Sequence, residues 1–342
     1  MIGIDISSTA VKVIELSKQG DDYQVEAYAS ESLPPNAIIE QNISNDEEVG
    51  EAVKRALSKS GSKATNAAIA VAGSSVIIKT IQMNSNLNEF EMDFQIRAEA
   101  DQYIPYPLDE VALDWEVVGQ VENNPDSVNV LLVACRSETV ERRKDAVEYA
   151  DLEAQLIDVE LYCIERSMGL LHHYLDGENV QTVAVIDIGA TMTTLSVLHE
   201  GSSVYTREQL FGGRQLVEDI MRLYGLDEPQ ATAAVGGEGL PASYQEDTLQ
   251  PFLNAVVQQV SRSLQFFYSS SPYNDVDYIV LAGGTASLGG LSELITEELG
   301  IPAMVANPFK DMTVAKNIDH QLLLHDAPSL MVACGLAMRG FN

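Results

Sequence analysis

Positive charge is scarce in this chain. Twenty Lys and Arg stand against 51 Asp and Glu in 342 residues, a formal net charge of −31. Such a balance repels the phosphates of nucleic acid and the headgroups of anionic lipid, so neither is expected as a primary partner. Any anionic ligand must be held by local dipoles and a metal. Cysteine is sparse too: Cys135, Cys163 and Cys334 each lie in an apolar stretch, with no close pair. That excludes a disulfide framework and zinc-ligand spacing, and points to reduced thiols in a cytosolic setting. No apolar run reaches the ~18 residues of a spanning helix, so membrane insertion is not expected. Residues Met1-Ile2-Gly3-Ile4-Asp5 show no basic region ahead of an apolar leader core. There is one Trp and 6% aromatic residue, yet the 46% hydrophobic content excludes global disorder. The length suits about two domains of roughly 150 residues each.

What is present is a repeat. Ile4-Asp5-Ile6-Ser7-Ser8-Thr9-Ala10-Val11 recurs 182 positions on as Ile186-Asp187-Ile188-Gly189-Ala190-Thr191-Met192-Thr193. Each copy reads as an apolar strand ending in Asp, a tight turn of small residues, and a second alternating strand that opens a meander. A spacing of half the chain implies two similar lobes rather than a solenoid, whose period is roughly 20–50 residues. Between the copies, 46–60 has helical spacing, 66–72 reads as a buried strand, and 76–155 reads as an inserted α+β unit. That unit is expected to hold a strand, an acidic helix over 88–103, a hairpin turning at 122–126, and a helix from Ser137, its N-cap, to about Ala150. Alternating strands and helices indicate an α/β class with mixed sheets.

Three turns could carry chemistry. Those after Asp5 and Asp187 present backbone N–H groups and short hydroxyls at strand ends, which suits polyphosphate oxygens, each Asp being free to face a metal. The third, Gly283-Gly284, permits close approach of a flat ligand. Lys12, three residues past Thr9, is placed to neutralise a phosphate. The pair His172-His173 lacks a third ligand at metal spacing, and Tyr103, Tyr106 and Trp115 read as subdomain core beside Pro105 and Pro107, with a peptide-gripping role left open.

The order of 2–12, 156–169, 183–194, 279–290 and 330–340 resembles the phosphate 1, connect 1, phosphate 2, adenosine and connect 2 motifs of the actin/Hsp70/hexokinase ATPase superfamily. Longer stretches resemble the PilM family of type IV pilus assembly: Gly3-Ile4-Asp5-Ile6-Ser7-Ser8-Thr9, Asp158-Val159-Glu160, Leu281-Ala282-Gly283-Gly284-Thr285-Ala286 and Ala306-Asn307-Pro308-Phe309. The resemblance implies a two-lobed actin-like ATPase fold (a duplicated ribonuclease H-like fold) with the inserted 1C subdomain shared with FtsA. It divides the chain into 1–75 (1A), 76–155 (1C), 156–180 (1A), 181–225 (2A), 226–275 (2B), 276–321 (2A) and 322–342 (1A).

The same resemblance implies ATP with Mg²⁺ as cofactors. Asp5 and Asp187 would hold the metal. Ser7, Ser8, Thr9, Lys12, Gly189, Ala190, Thr191 and Thr193 would meet phosphates. Gly283, Gly284, Thr285 and Ser287 would border adenosine, with Gly212 and Gly213 on the ribose side. Glu160 falls where relatives orient the attacking water; as a first-turn helix acid it also complements the helix dipole. The implied partners are the N-terminal cytoplasmic peptide of PilN, in a groove between 1A and 1C, and other pilus platform proteins, with a homo-oligomer also open. The implied place is cytoplasmic, peripheral at the inner membrane through protein partners, with a role in twitching motility. Two features depart from the superfamily pattern: Ser7 replaces the usual Gly, and Thr232 and Val235 replace a Glu and a Lys that grip ribose and base. Weak base contacts and slow hydrolysis are therefore expected. The alternatives on the same fold are a small-molecule sugar or acyl kinase and an FtsA-like filament-forming ATPase.

Overall fold

The computed structural model describes residues 1–122, 124–177 and 179–341. The chain opens with β1 (Ile2–Ile6), β2 (Ala10–Gln19) and β3 (Asp22–Ser32), then a short hairpin, β4 (Ile38–Ile39) and β5 (Asn42–Ile43). Helix α1 (Asp46–Ser60) follows. Asn45 caps it by accepting the Glu48 N–H, three acids fill its first turn, and Gly61 ends it in the left-handed conformation. Next come β6 (Asn66–Val71), β7 (Val76–Asn84), α2 (Glu89–Glu99), β8 (Val111–Val121), β9 (Asn124–Arg136), α3 (Ser137–Glu148), β10 (Glu153–Val159) and α4 (Glu160–Met168).

The second half begins with β11 (Thr182–Ile188), β12 (Thr193–His199) and β13 (Ser202–Gln209). After them run α5 (Arg214–Tyr224), α6 (Glu228–Ala233), α7 (Gln250–Ser270), β14 (Tyr278–Ala282), α8 (Leu291–Leu299) and β15 (Ala303–Val305). Strand β16 (Thr313–Val314) and helices α9 (His320–Asp326) and α10 (Met331–Met338) close the chain.

The repeat is visible in the pairing. The first sheet runs β10-β6-β1-β2-β3-β16 and the second runs β13-β12-β11-β14-β15. In both, the strand carrying the Asp is antiparallel to the next strand and parallel to a later one. One face of the first sheet packs Ile2, Ile4 and Ile6 against Val49, Val53, Ala146 and Val147 of α1 and α3. The second sheet packs Ile186, Ile188 and Leu195 against Leu253, Val257 and Phe267 of α7 and against Leu216 and Ile220 of α5.

Between the sheets lie α4 and α10. Cys163, Ile164 and Met168 of α4 and Met331, Val332 and Leu336 of α10 share one core with Ala68 and Ala70 of the first sheet and with Val183, Val185 and Val280 of the second. Ser167 donates to the Met331 carbonyl (2.7 Å) and Arg166 to the Gly335 carbonyl (2.8 Å), stapling the two helices together. Their backbones touch at Gly335, where a Cβ would sit 2.0 Å from the Cys163 carbonyl oxygen. Asp158, at the end of β10, pairs with Arg166 (3.0 Å) and Arg339 (3.4 Å) on either side of this crossing.

Four sequence expectations change here. Helix α3 is not part of the inserted unit, because Ala146, Val147, Ala150 and Leu152 belong to the first-lobe core; the three-stranded sheet β7-β9-β8 and α2 form that unit. Ser137 is the first helical residue rather than the N-cap, a position Arg136 takes without a side-chain bond. The stretch 276–321 does not stay in the second lobe, since Thr313 and Val314 pair with Gln24 and Val25 of β3. Of the turn expected at 122–126, Asn124, Pro125 and Asp126 belong to β9, and Asn123 lies outside the described residues. The stretch His320–Phe341 is long and apolar enough to cross a membrane by composition, but 67% of its apolar window is buried in this core.

Gly335→Ala is expected to destabilise the protein by about 3 kcal/mol, because the new methyl group meets backbone that cannot rotate away. A urea unfolding midpoint compared with that of wild type checks this.

Candidate functional site

The two repeat turns have the same backbone design. The Ser7 N–H donates to the Ala10 carbonyl (3.0 Å), and the Gly189 N–H donates to that of Met192 (2.9 Å). Across the hairpins Asp5 pairs with Lys12 and Asp187 with Thr194, so the equivalent position carries an ammonium in one lobe and a hydroxyl in the other. The Lys12 ammonium lies 3.1 Å from the Asp5 carboxylate. Burial alone would lower the Lys12 pKa, but Asp5, Asp187 and Glu160 outweigh it and raise it.

Glu160 begins α4, beside both aspartates. Burial pushes its carboxyl up to about 7; Arg143 opposes the rise, and Asp5, Asp187 and Glu208 add to it. Asp187 is pushed up to about 6 by burial, with Lys12 opposing and Asp5 adding. Three carboxylates thus share one ammonium, a deficit of positive charge that a divalent cation would relieve. Among the described residues no three His, Cys, Asp or Glu side chains are gathered closely enough to ligate a metal directly. The excess negative charge around Asp5 and Asp187 fits a hydrated divalent cation.

The remaining expected residues divide into two groups. Ser7, Ser8, Ala190 and Thr191 sit half-buried at the turns and Thr9 is exposed, while Gly284 and Ser287 are exposed after β14. Ser287 donates to the His325 carbonyl (3.3 Å). Gly283 has φ +85°, and a Cβ there would stand 2.5 Å from Asp187 Oδ1, so this turn reaches the acid only as glycine. Thr193 and Thr285 instead lie behind the turn. Thr193 donates to the Phe211 carbonyl (2.8 Å) and Thr285 to the Gly189 carbonyl (3.2 Å). The Gly213 N–H donates to the same Gly189 carbonyl (3.0 Å), and Gly212 packs against Gly189 and Ala190. These four residues hold the second turn in place. Thr232 turns its hydroxyl onto the Glu228 carbonyl (2.8 Å).

Two residues escaped the sequence reading. Arg143 is 3% exposed and donates to the carbonyls of Ile6 (3.2 Å), just before the first turn, and Gln41 (3.0 Å). Its signal was its place on the apolar stripe of α3 with Ala146, Val147 and Ala150, masked by the charged neighbours Arg142 and Lys144. Glu208 of β13 reaches across the lobes to accept from Gln41 Nε2 (3.0 Å) and the Ser74 N–H (3.1 Å). Gln41 is presented by the β4–β5 turn, where both Glu40 (φ 47°) and Gln41 (φ 65°) are left-handed. Such turns normally use Asn-Gly, and each strained residue costs roughly 1–3 kcal/mol.

Beside this clamp, a groove of about 460 Å³ separates the first lobe from the inserted unit, lined by Gln41, Ser74, Tyr106, Arg136, Arg142 and Arg143 among others. The Arg136 guanidinium stacks 4.3 Å from the Tyr106 ring centre. Three arginines on one groove stand out in so acidic a chain. Tyr103 and Trp115 pack in the inserted unit's core, as expected for that cluster, and Tyr106 also packs there beside Ala134.

A family model described as type IV pilus assembly protein PilM matches residues 3–341. The chain belongs to the PilM family. A solved structure described as a PilM-PilN type IV pilus biogenesis complex superposes with a TM-score of 0.80 at 28% identity, covering 100% of this chain and 98% of that one. Ethanolamine utilization protein EutJ from Carboxydothermus hydrogenoformans matches with a TM-score of 0.57 at 16% identity, over 98% of this chain and 88% of its own. MreB5 of Spiroplasma citri bound to AMPPNP gives 0.52 at 12%, over 98% and 93%. These two likenesses show the fold, which is the two-lobed actin-like one. The cell division protein FtsA of Enterococcus faecalis is 28% identical over 149 residues, 36% of this chain. That match spans about a third of FtsA's length (33%).

A carboxyl raised above its ordinary value stabilises the fold while protonated. For Glu160 that contribution is full below its ordinary 4.5 and is withdrawn as pH rises through about 7. Glu160→Gln is therefore expected to stabilise the protein by about 3 kcal/mol near pH 8 and to change little near pH 4. Thermal melts of both proteins across that range, without nucleotide, check the sign.

Proposed function

We propose that this PilM-family protein binds ATP with Mg²⁺ in the cleft between the lobes. In the same reading it takes the N-terminal cytoplasmic peptide of PilN in the groove beside the inserted unit. It would act at the cytoplasmic face of the inner membrane, held there by protein partners, in pilus assembly and twitching motility. The observation that carries this reading is that groove and cleft share residues. Gln41, Ser74 and Arg143 line the groove, and the same three hold Glu208 of the second lobe and the carbonyl before the first phosphate turn.

The roles follow from chemistry already described. Asp5 and Asp187 supply charge for the metal, which when bound would neutralise phosphate oxygens. The turns at 7–9 and 189–191 supply backbone N–H groups, and Lys12 is a cation that Asp5 and a phosphate would share. Glu160 faces the same space and is placed to orient water. Thr232 and Val235 leave the base lightly held, which suits a nucleotide-dependent switch with slow turnover. A peptide in the groove would contact Gln41 directly, and lobe closure depends on Gln41 through Glu208. Each ligand then biases the arrangement the other prefers.

Calorimetric titration of a synthetic PilN N-terminal peptide, with and without ATP–Mg²⁺, tests the reading, with phosphate release followed in parallel. The peptide is expected to bind, about fivefold or more differently with nucleotide present. Gln41→Ala should lose that difference, whereas Asp187→Ala should lose the nucleotide. Absence of peptide binding to the wild-type protein overturns the partner assignment.

A further inference from the structure

Helix α2 of the inserted unit is apolar on two sides. Met92 and Ile96 pack on the sheet with Val130 and Leu132. Phe90 and Phe94, one helical turn apart, stand 81% and 70% exposed. Phe90 is the most exposed large hydrophobic side chain among the described residues. Ala98 continues the uncovered line at the next turn and is also exposed. A helix apolar on both sides is built to be covered on both, and two neighbouring rings present about 300 Å² of apolar surface.

We propose that Phe90 and Phe94 are the anchor of a docking surface for a basic amphipathic helix of a partner protein. Charge identifies the occupant. Residues 76–136 carry eleven acidic and three basic side chains, a net −8. The one base on α2, Arg97, is already paired with Asp93 at 2.9 Å. Glu91 and Asp101 border the rings and are exposed. An anionic lipid surface is repelled by this field, and a second copy brings another −31 to meet it. A lysine-rich partner is attracted instead. Ring spacing of one turn selects a helix, whose side chains at i, i+3 and i+4 fill the ridge and groove that two such rings make. The surface lies on the far side of α2 from the sheet, so it is separate from the arginine-lined groove and from the cleft.

The test uses the full chain and a fluorescent synthetic helix of leucine and lysine in low salt. Binding is expected to weaken about tenfold or more in the double variant Phe90→Ser/Phe94→Ser, and partly in Phe94→Ser alone. It should be unchanged in Leu223→Ser, which removes a half-exposed leucine from the second lobe, also acidic. A leucine and glutamate helix of the same pattern should not bind. Both rings are exposed, so thermal midpoints of the variants should match wild type and confirm folding. Equal binding of the peptide to wild type and double variant overturns the proposal. So does a double variant that instead loses self-association in sedimentation, or loses binding to phosphatidylglycerol vesicles, since either assigns the rings to a different occupant.

Discussion

Everything in the molecule leans on the contact between α4 and α10. Each lobe brings its sheet to this pair, and the pair has no other way to lie, because the two backbones meet where Gly335 has no side chain. The polar bonds around it, from Ser167, Arg166 and Asp158, fix the helices relative to each other. The sheets meet the pair through a broad apolar contact and a few polar ties, Asp158 of β10 to Arg166 (3.0 Å) and the Ser203 N–H of β13 to Glu165 (2.9 Å). Such a joint resists separation strongly but opposes small rotations of one lobe over the other only weakly, since side chains can slide where backbone bonds cannot. The clamp of Glu208 on Gln41 and Ser74 adds a polar tie between the lobes near the start of α4.

The second constraint is electrostatic. A cleft that buries Asp187 and Glu160 beside Asp5 and one ammonium is uncomfortable by itself: burial raises the pKa of Glu160 and Asp187, and the neighbouring carboxylates add to the rise. Arg143 relieves it from behind while also bonding the carbonyl that precedes the first turn. The protein therefore stores a demand for cations in its centre while remaining strongly acidic overall. Its surface acids cannot meet that demand.

Much of this was legible beforehand, for definite reasons. The repeat fixes the turns because a strand, an Asp and small residues have few ways to fold, and the register of Asp5 with Lys12 and Asp187 with Thr194 follows from a tight hairpin. The inserted unit was also recognisable, but its limits were not. Helix α3 reads as a continuation of β9, and only its partners reveal that it covers the first lobe. Thr193 and Thr285 read as ligand hydroxyls, since residue type alone cannot tell a side chain facing the cleft from one facing a carbonyl behind it. Arg143 and Glu208 depend on contacts between residues more than 100 positions apart, which no local pattern encodes.

The inequality between the two hairpins reaches further than the charge count. Their backbones are near copies, so on geometry alone a chain of phosphates could lie between them in either direction. Lys12 faces one end of that path and Thr194 the other. A symmetric cradle with unequal ends would act as a polarised socket for the proposed nucleotide, and a duplicated fold would thereby acquire a sense of direction from one substituted side chain.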